Sequence, residues 1–288
     1  MFFLGIDGGG TRCRARIRDE AGRLLGEGTG GRANIHQDFA GSVRSILEAA
    51  AAASGQAGVS MPQLNAGLGL AGVETLPGLE PLRAALPFAA VTAINDAPAA
   101  CLGAHGGCDG GVVIAGTGSA GCAIVEGKTT VIGGWGFELG DDGSGAIMGR
   151  AAVRAAVASI DGLGLDTPFT RAILYQIGDD RPALSQWVHE AKPADYAEFA
   201  PDVFDFSDRG DPVANGILMF AAQGLQKIAE RLISLGAPKL ALVGGLREMY
   251  LAGFSNFREM FAHPQSDALD GAIMAARAAA GLPMAPPS

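Results

Sequence analysis

Two glycine-rich stretches carry the residue types that hold a phosphate group. Residues 5–12 read GIDGGGTR and residues 115–119 read AGTGS. Successive backbone N–H groups in such turns form anion-binding concavities, and the hydroxyls of Thr11 and Thr117 add donors. Asp7 precedes the first turn, where a carboxylate suits the Mg²⁺ that accompanies a nucleoside triphosphate. The two turns therefore predict a metal-bound nucleotide held between them, although glycines would also serve an ordinary hairpin turn.

Two better-known phosphate motifs fit the sequence less well. GTGSAG (116–121) matches the pattern GxGxxG, and EGKTT (126–130) contains the GKT of a P-loop. Both motifs need a helix directly behind them, because the amino end of that helix holds the phosphates. The residues CAIVEGKTTVI that follow here predict two short strands around a turn instead. A dinucleotide-dependent enzyme and a P-loop NTPase are therefore both disfavoured.

The glycine turns belong to a three-strand unit that occurs twice. Residues 2–6 predict a buried strand, residues 12–18 alternate arginines with apolar residues as a half-buried strand does, and residues 23–29 predict a third strand. Residues 110–136 repeat the order strand, glycine turn, strand, tight turn, strand. This spacing is too long for a short-period solenoid. Two similar lobes are predicted.

The remaining pattern alternates strands with helices, which is typical of an α/β protein. Asp96 is expected to cap the helix that starts at Ala97, with Pro98 in its first turn. Residues 161–212 are expected to be mixed and mainly helical. Further strands are predicted at 63–72, 89–96 and 239–246, and helices at 38–54, 97–106, 144–160, 216–236 and 268–281.

Composition limits the class of protein. The chain has 288 residues, 48% of them apolar, with a mean hydropathy of +0.24, which is enough for a large core. Its net charge is −9 and it has no basic stripe, so no nucleic-acid partner is expected. The start lacks a basic n-region, and no run of 18 uncharged apolar residues occurs, so neither a signal peptide nor a membrane helix is expected. The four cysteines form no CxxC pair and the four histidines are scattered, so we expect no zinc site and a reduced, cytoplasmic protein.

Together these stretches resemble the sugar kinase–actin–heat-shock chaperone superfamily, and within it the N-acetylglucosamine kinases and the BadF/BadG/BcrA/BcrD-type ATPases. The resemblance implies an α/β fold of two ribonuclease H-like (actin-like ATPase) lobes with a nucleotide cleft between them. The N-terminal lobe would comprise residues 1–112 with the C-terminal helix at about 268–284, and the C-terminal lobe residues 113–267 with a helical insert at about 161–212. The resemblance is carried by GIDGGGTR, AGTGS, GRANI (31–35), GLGLAG (67–72), NDAPAA (95–100), GGWGFELGDDGSG (133–145) and LVGGL (242–246).

The same resemblance implies roles for individual residues. Asp96 would be the catalytic base, and Asp7 would hold Mg²⁺, directly or through water. The sugar would be bound by Asn34, Gly72, Asp96, Thr117, Gly118 and Asp141. The nucleotide would be bound by Gly8, Gly9, Gly10, Thr11, Thr117, Gly118, Gly244 and Gly245.

The implied reaction is the phosphorylation of N-acetylglucosamine to its 6-phosphate by ATP with Mg²⁺. The resemblance also implies a homodimer. The chain departs from the family pattern at Ala71 and Ala120, where mammalian relatives have serine and asparagine, so glucosamine remains an alternative substrate. A third possibility is an ATPase that activates a partner enzyme, although the iron–sulfur cysteine pattern of such activators is absent from the sequence. We also expect closure of the lobes around the sugar, with a hinge near 107–116, because closure would exclude water.

Overall fold

The structure, a computed structural model, describes residues 1–284, and in them two mixed five-stranded sheets with helices around them. The first sheet has the strand order β3-β2-β1-β4-β5 and the second the order β10-β9-β6-β7-β8. The strands are β1 (Phe2–Gly8), β2 (Cys13–Asp19), β3 (Leu24–Gly30), β4 (Leu64–Leu70), β5 (Ala90–Ile94), β6 (Gly110–Ala115), β7 (Ser119–Val125), β8 (Lys128–Gly133), β9 (Leu240–Val243) and β10 (Phe261–Ala262).

The two sheets repeat one topology. In the first, β1 pairs antiparallel with β2 and parallel with β4. In the second, β6 pairs antiparallel with β7 and parallel with β9. Followed from the antiparallel edge strand, the first sheet has the order β3-β2-β1-β4-β5 and the second β8-β7-β6-β9-β10, so each strand of one sheet has a counterpart in the other. This confirms the duplicated three-strand unit. The residues after Gly121 continue strand β7, as the sequence predicts, so the GxGxxG stretch has no helix behind it.

Twelve α-helices occur in the described residues, and eight of them, α4 to α11, share one hydrophobic core with the second sheet. The region 161–212, expected to be mainly helical, contains four of them, α5 to α8. The helices are α1 (Phe39–Ala57), α2 (Glu80–Ala85), α3 (Asp96–His105), α4 (Gly145–Ile160), α5 (Pro168–Ile177), α6 (Arg181–Glu190), α7 (Pro193–Ala197), α8 (Ala200–Asp208), α9 (Pro212–Ser234), α10 (Arg247–Gly253), α11 (Ser255–Met260) and α12 (Ala268–Ala279).

Helix α3 lies between the two sheets. Its buried residues Ala97, Cys101 and Ala104 form an apolar cluster with Val112 and Cys122 of the second sheet. On another side α3 packs against α12, which returns from the second half of the chain to the first sheet. α3 therefore links the parts of the molecule that the two glycine turns belong to, and its first residue is Asp96.

Close packing of α12 on the first sheet depends on glycines. A Cβ added at Gly5 of β1 or at Gly67 of β4 would collide with backbone carbonyls of α12, and one at Gly271 of α12 would collide with the backbone of α3. Only a residue without a side chain allows backbones to approach so closely. These glycines are structural, and Gly5 lies within β1, ahead of the phosphate turn at Gly8, Gly9 and Gly10.

One capping assignment from the sequence is wrong. Asn95, rather than Asp96, is the N-cap of α3, and its side chain accepts a hydrogen bond from Ala97 N at 3.2 Å. Asp96 is the first helical residue, and its Oδ1 also accepts from Ala97 N, at 2.9 Å. Asparagine and aspartate cap equally well, so the sequence does not distinguish between the two neighbours.

The chain crosses between the two sheets in two places, and the second crossing is hydrogen-bonded to the last turns of α3, the helix that precedes the first. The first crossing, 106–109, joins α3 to β6. Because β6 begins at Gly110, part of the expected hinge region 107–116 lies within a strand. The second, 263–267, joins β10 to α12. Gln265 N donates to Ala104 O at 2.9 Å and Ser266 N to Gly103 O at 3.1 Å. Among residues 1–284, no helix is both long enough and apolar enough to cross a membrane.

Candidate active site

The parallel strands of each sheet bring the candidate residues to common edges. Asp7, Gly72 and Asp96 follow or end the parallel strands β1, β4 and β5, so they lie at one edge of the first sheet. Thr117 and Gly244 follow the parallel strands β6 and β9, at one edge of the second. Open α/β sheets bind their ligands outside these carboxyl edges.

The first glycine turn is anchored on its inner side and open on its outer side. Gly8 O accepts from Ala71 N at 3.0 Å, and Gly9 O accepts from Ala33 N at 2.9 Å. A Cβ added at Gly8 would strike Leu70 and Ala33, whereas one at Gly9 or Gly10 would meet no atom within 4 Å. Gly10 and Thr11 are exposed. The turn therefore presents backbone to an open space that a phosphate chain could occupy.

Asp7 is held by an arginine that the sequence analysis did not single out. Arg14 lies directly opposite it in the β1–β2 register. Arg14 Nη2 donates to Asp7 Oδ2 at 2.6 Å, and Arg14 Nε donates to the same oxygen at 3.2 Å. Both bonds go to Oδ2, so Oδ1 is the oxygen that these contacts leave available to a metal ion or its water shell.

Asp96 has the environment of a general base. Burial raises the pKa of its carboxyl from 3.8 to about 6; the backbone N–H of Ala97 opposes this, and the negative charges of Asp7 and Glu74 add to it. A base works best with a pKa near the pH at which it operates. The alternative role as a helix cap is weakened, because Asn95 is the N-cap.

Asn34 and Gly72 lie together on a rim beside the first turn. Gly72 has a φ of +80°, and a Cβ added there would lie 3.3 Å from Asn34 Oδ1 and closer still to the side chain of His36. Thr75 Oγ1 donates to Gly72 O at 2.7 Å and lies 3.3 Å from His36 Nδ1. The rim is thus built from two loops, after β3 and after β4, that the sequence separates by more than thirty residues.

The second glycine turn packs against Asp141. A Cβ added at Gly118 would lie 2.8 Å from Asp141 Oδ2. Asp141 has a φ of 64°, which is uncommon outside glycine but tolerated by aspartate. Burial raises the pKa of its carboxyl, while the backbone amides of Ser119 and Gly136 act in the opposite direction. A partly buried acid beside the turn is suited to accept hydrogen bonds from sugar hydroxyls.

The amino end of α4 supports the second turn rather than presenting free amides. Gly145 N donates to Gly116 O at 2.8 Å, and Ala146 N donates to Thr117 O at 3.2 Å. Ile147 N is bonded to the Ser144 side chain at 3.2 Å. Because these donors are already used, phosphate binding at this turn would rest on the turn itself.

Gly244 and Gly245 lie against the base of the second turn. Gly244 has a φ of +102°, and a Cβ there would collide with the backbone of Ala115. Leu246 N donates to Ala115 O at 3.0 Å, while Gly245 faces space with no atom within 4 Å of an added Cβ. The next residue, Arg247, has a buried Nε with no hydrogen-bond partner among the described residues. An orphaned donor of this kind beside an open glycine suits a polar ligand.

The structure thus groups the predicted residues at two sheet edges. Asp7, the first turn, Asn34, Gly72 and Asp96 lie in one group, and Thr117, Gly118, Asp141, Gly244 and Gly245 in the other. Sequence reasoning missed Arg14, Glu74 and Arg247. The alternation of arginines in β2 was a signal for Arg14, but the pairing of Arg14 with Asp7 depends on strand register. Glu74 and Arg247 gave no signal in the sequence.

Comparisons with known proteins found a matching family and several similar proteins. A model of the BadF/BadG/BcrA/BcrD ATPase family matches residues 4–276. Glucosamine kinase GspK of Vibrio cholerae is 37% identical over 278 residues, 95% of each chain. The N-acetyl-D-glucosamine kinase of Dictyostelium discoideum is 29% identical over 271 residues, 82% of this chain and 81% of that one. A Chromobacterium violaceum structure provisionally described as an N-acetylglucosamine kinase matches with a TM-score of 0.89 at 34% identity, covering 96% of this chain and 98% of that one. The two-lobed, actin-like ATPase fold expected from the sequence is confirmed.

Proposed function

The chain belongs to the BadF/BadG/BcrA/BcrD ATPase family, and on this premise we propose that it transfers the γ-phosphoryl group of ATP to the 6-hydroxyl of an amino sugar. The observation that carries the proposal is Asp96, a half-buried carboxyl with a pKa of about 6 at the sheet edge that also holds the first glycine turn. Two relatives are named as amino-sugar kinases.

In the proposed reaction Asp96 receives the proton of the sugar hydroxyl. The hydroxyl oxygen forms a bond to the γ-phosphorus as the bond from that phosphorus to the β,γ-bridging oxygen breaks, and ADP leaves. Phosphoryl transfer needs mainly alignment and charge stabilisation. A pKa near 6 keeps Asp96 ionised at neutral pH and still basic enough to accept the proton as it is released.

Sugar binding is proposed for residues of both sheet edges. Asn34 and the backbone at Gly72 would hold one side of the sugar with Asp96. Thr117, Gly118 and Asp141 would hold the other side. The contact between Gly118 and Asp141, and the nearness of Asn34 to Gly72, support this division.

The nucleotide is proposed to bind through three glycine turns. Gly8, Gly9, Gly10 and Thr11 would hold the phosphates from the first sheet, and Thr117 with Gly118 from the second. Gly244 and Gly245 would approach the adenosine. The open space beside Gly9, Gly10 and Gly245 supports these assignments.

Asp7 is the residue proposed to hold Mg²⁺, directly or through water. Mg²⁺ in nucleotide sites is bound by one or two carboxylates together with substrate phosphates, so a single carboxylate beside a phosphate turn fits it. The ion would supply positive charge to the β- and γ-phosphates. Removal of divalent metal by EDTA should therefore abolish sugar-dependent ADP release.

The test of the proposed function is a coupled assay of ADP release with glucosamine, N-acetylglucosamine, N-acetylmannosamine and glucose. The sequence resemblance favours N-acetylglucosamine. Ala71 and Ala120, where mammalian relatives have serine and asparagine, together with the 37% identity to a glucosamine kinase, favour glucosamine as the second candidate. A strong stimulation by one amino sugar, with the 6-phosphate as product, is the expected result. No stimulation by any of the four would refute the kinase proposal.

The same assay addresses the alternative of an ATPase that activates a partner enzyme. Such a protein should hydrolyse ATP slowly at a rate that no sugar changes. A cytoplasmic homodimer and closure of the lobes around the sugar complete the proposal. Small-angle scattering that shows no compaction with sugar and nucleotide together would count against closure.

A further inference from the structure

A row of arginines on β2 has no role in the reaction as proposed so far. Arg14, Arg16 and Arg18 lie on the partly exposed face of this strand. Arg16 Nη1 contacts Asp267 Oδ1 at 2.7 Å, and Arg18 Nε contacts Asp270 Oδ1 at 2.7 Å. These two arginines bind β2 to the first turn of α12, whereas Arg14 also reaches Asp7.

Arg14 constrains the Asp7 carboxylate closely. Its Nη2 and Nε both donate to Oδ2, at 2.6 and 3.2 Å. The side chains are only 30% and 24% exposed, so the pair is partly shielded from water. Two donors of one planar guanidinium hold this oxygen, and neither bond involves Oδ1.

Arg14 is itself held from the crossing between the lobes. Its Nη1 lies 3.6 Å from Asp267 Oδ2. Asp267 is the N-cap of α12 and follows Gln265 and Ser266, whose backbone N–H groups donate to the last turns of α3. A chain of contacts therefore runs from Asp7 through Arg14 to the place where the two lobes are joined.

We propose that Arg14 is a positioning residue that fixes Asp7 for the metal-bound nucleotide, and that Asp267 anchors Arg14. The inference rests on the proposed function, because Asp7 has a metal-binding role only there. Groups that orient a metal ligand through a hydrogen bond typically contribute about 10- to 100-fold to metal affinity or activity. Loss of Arg14 should thus weaken the metal-dependent part of nucleotide binding and leave the metal-independent part unchanged.

The experiment is calorimetric titration of the full chain with ADP, in Mg²⁺ and in EDTA. Arg14→Gln should reduce the gain in ADP affinity that Mg²⁺ provides by about tenfold, with the affinity in EDTA unaltered. Arg14→Lys should recover part of this gain, because an ammonium can contact Oδ2 but lacks the planar fork. Asp267→Asn keeps an N-cap side chain and loses the charge, so a smaller loss in the same direction is expected.

The matched control is Arg18→Gln. It removes an ion pair of the same kind from the same face of β2, with Asp270 as the partner left behind, and it should keep the full magnesium-dependent gain. An equal loss in Arg14→Gln and Arg18→Gln would overturn the positioning role and indicate general loosening of β2. A full gain in Arg14→Gln would also overturn it, and a full gain in Asp267→Asn would overturn the anchor. Wild-type protein that binds ADP equally with and without Mg²⁺ would remove the proposed metal role of Asp7, and the inference with it.

Discussion

Replacement of Asp96 by asparagine should strongly reduce turnover and at the same time stabilise the folded chain above neutral pH. Asparagine has nearly the same shape, and its side-chain oxygen can still accept the hydrogen bond from Ala97 N that Asp96 accepts at 2.9 Å. The substitution therefore removes the ability to take a proton and the half-buried negative charge, with little change in packing.

The size of the stabilisation follows from the pKa of Asp96. Burial raises the pKa of this carboxyl from 3.8 to about 6 in the folded chain. The folded state therefore holds the proton more tightly than the unfolded state. The stability from this group is fully present below pH 3.8 and is lost as the pH rises through 6. A difference of about 2 in pKa corresponds to a free energy of about 3 kcal/mol. At pH 8 the ionised Asp96 destabilises the folded chain by this amount.

The assay compares thermal unfolding of wild type and Asp96→Asn at pH 8 and pH 5. We expect the variant to be more stable by about 3 kcal/mol at pH 8 and by about half of that at pH 5, because the unfolded wild-type carboxyl is ionised at both values and the folded one only at pH 8. Coupled measurement of ADP release should show turnover reduced by about 10²- to 10⁴-fold, the usual contribution of a general base. Nucleotide binding should be retained.

The control is Asp38→Asn, at the N-cap of α1. Asp38 accepts from Gly41 N at 2.8 Å and is exposed, and asparagine caps a helix as well as aspartate does. This variant should keep its turnover and its stability within about 0.5 kcal/mol. A stability difference between Asp96→Asn and wild type that is the same at both pH values would refute the argument from burial. Wild-type turnover in Asp96→Asn would end its assignment as the base.

Two further predictions concern the pH profile and the glycine turns. The acidic limb of the pH profile of kcat/KM should have a midpoint near pH 6. Glu74→Gln should move this midpoint to lower pH, because the charge of Glu74 contributes to the raised pKa of Asp96. A midpoint that moves to higher pH contradicts this. Gly244→Ala should destabilise the chain by about 1–3 kcal/mol or more, because the φ of Gly244 is +102° and the new methyl group would collide with Ala115. Gly245→Ala has room for a methyl group and should be tolerated better. Equal melting temperatures for the two variants would contradict this difference between the two glycines.

Local patterns accounted for most of the fold. The period-two alternation over 12–18 predicts β2, whose observed burial alternates in the same way. The strands expected after the second glycine turn are β7 and β8. Such patterns are visible in one short segment, because a strand has one buried face and one exposed face whatever it pairs with. The four separate helices of 161–212 were less clear, since their ends depend on packing against α4 and α9 as well as on local signals.

By itself the sequence determined the two glycine turns, the acid in front of the first, and the duplicated order of strands, because each of these depends on neighbours a few residues away. Only the tertiary structure decided that Arg14 faces Asp7, that Asp141 lies against Gly118, and that glycines of β1 and β4 admit the backbone of α12. These contacts depend on strand register and on helices that approach through glycines. A one-residue shift in register would turn every side chain of a strand to its other face, and a linear pattern does not contain that information.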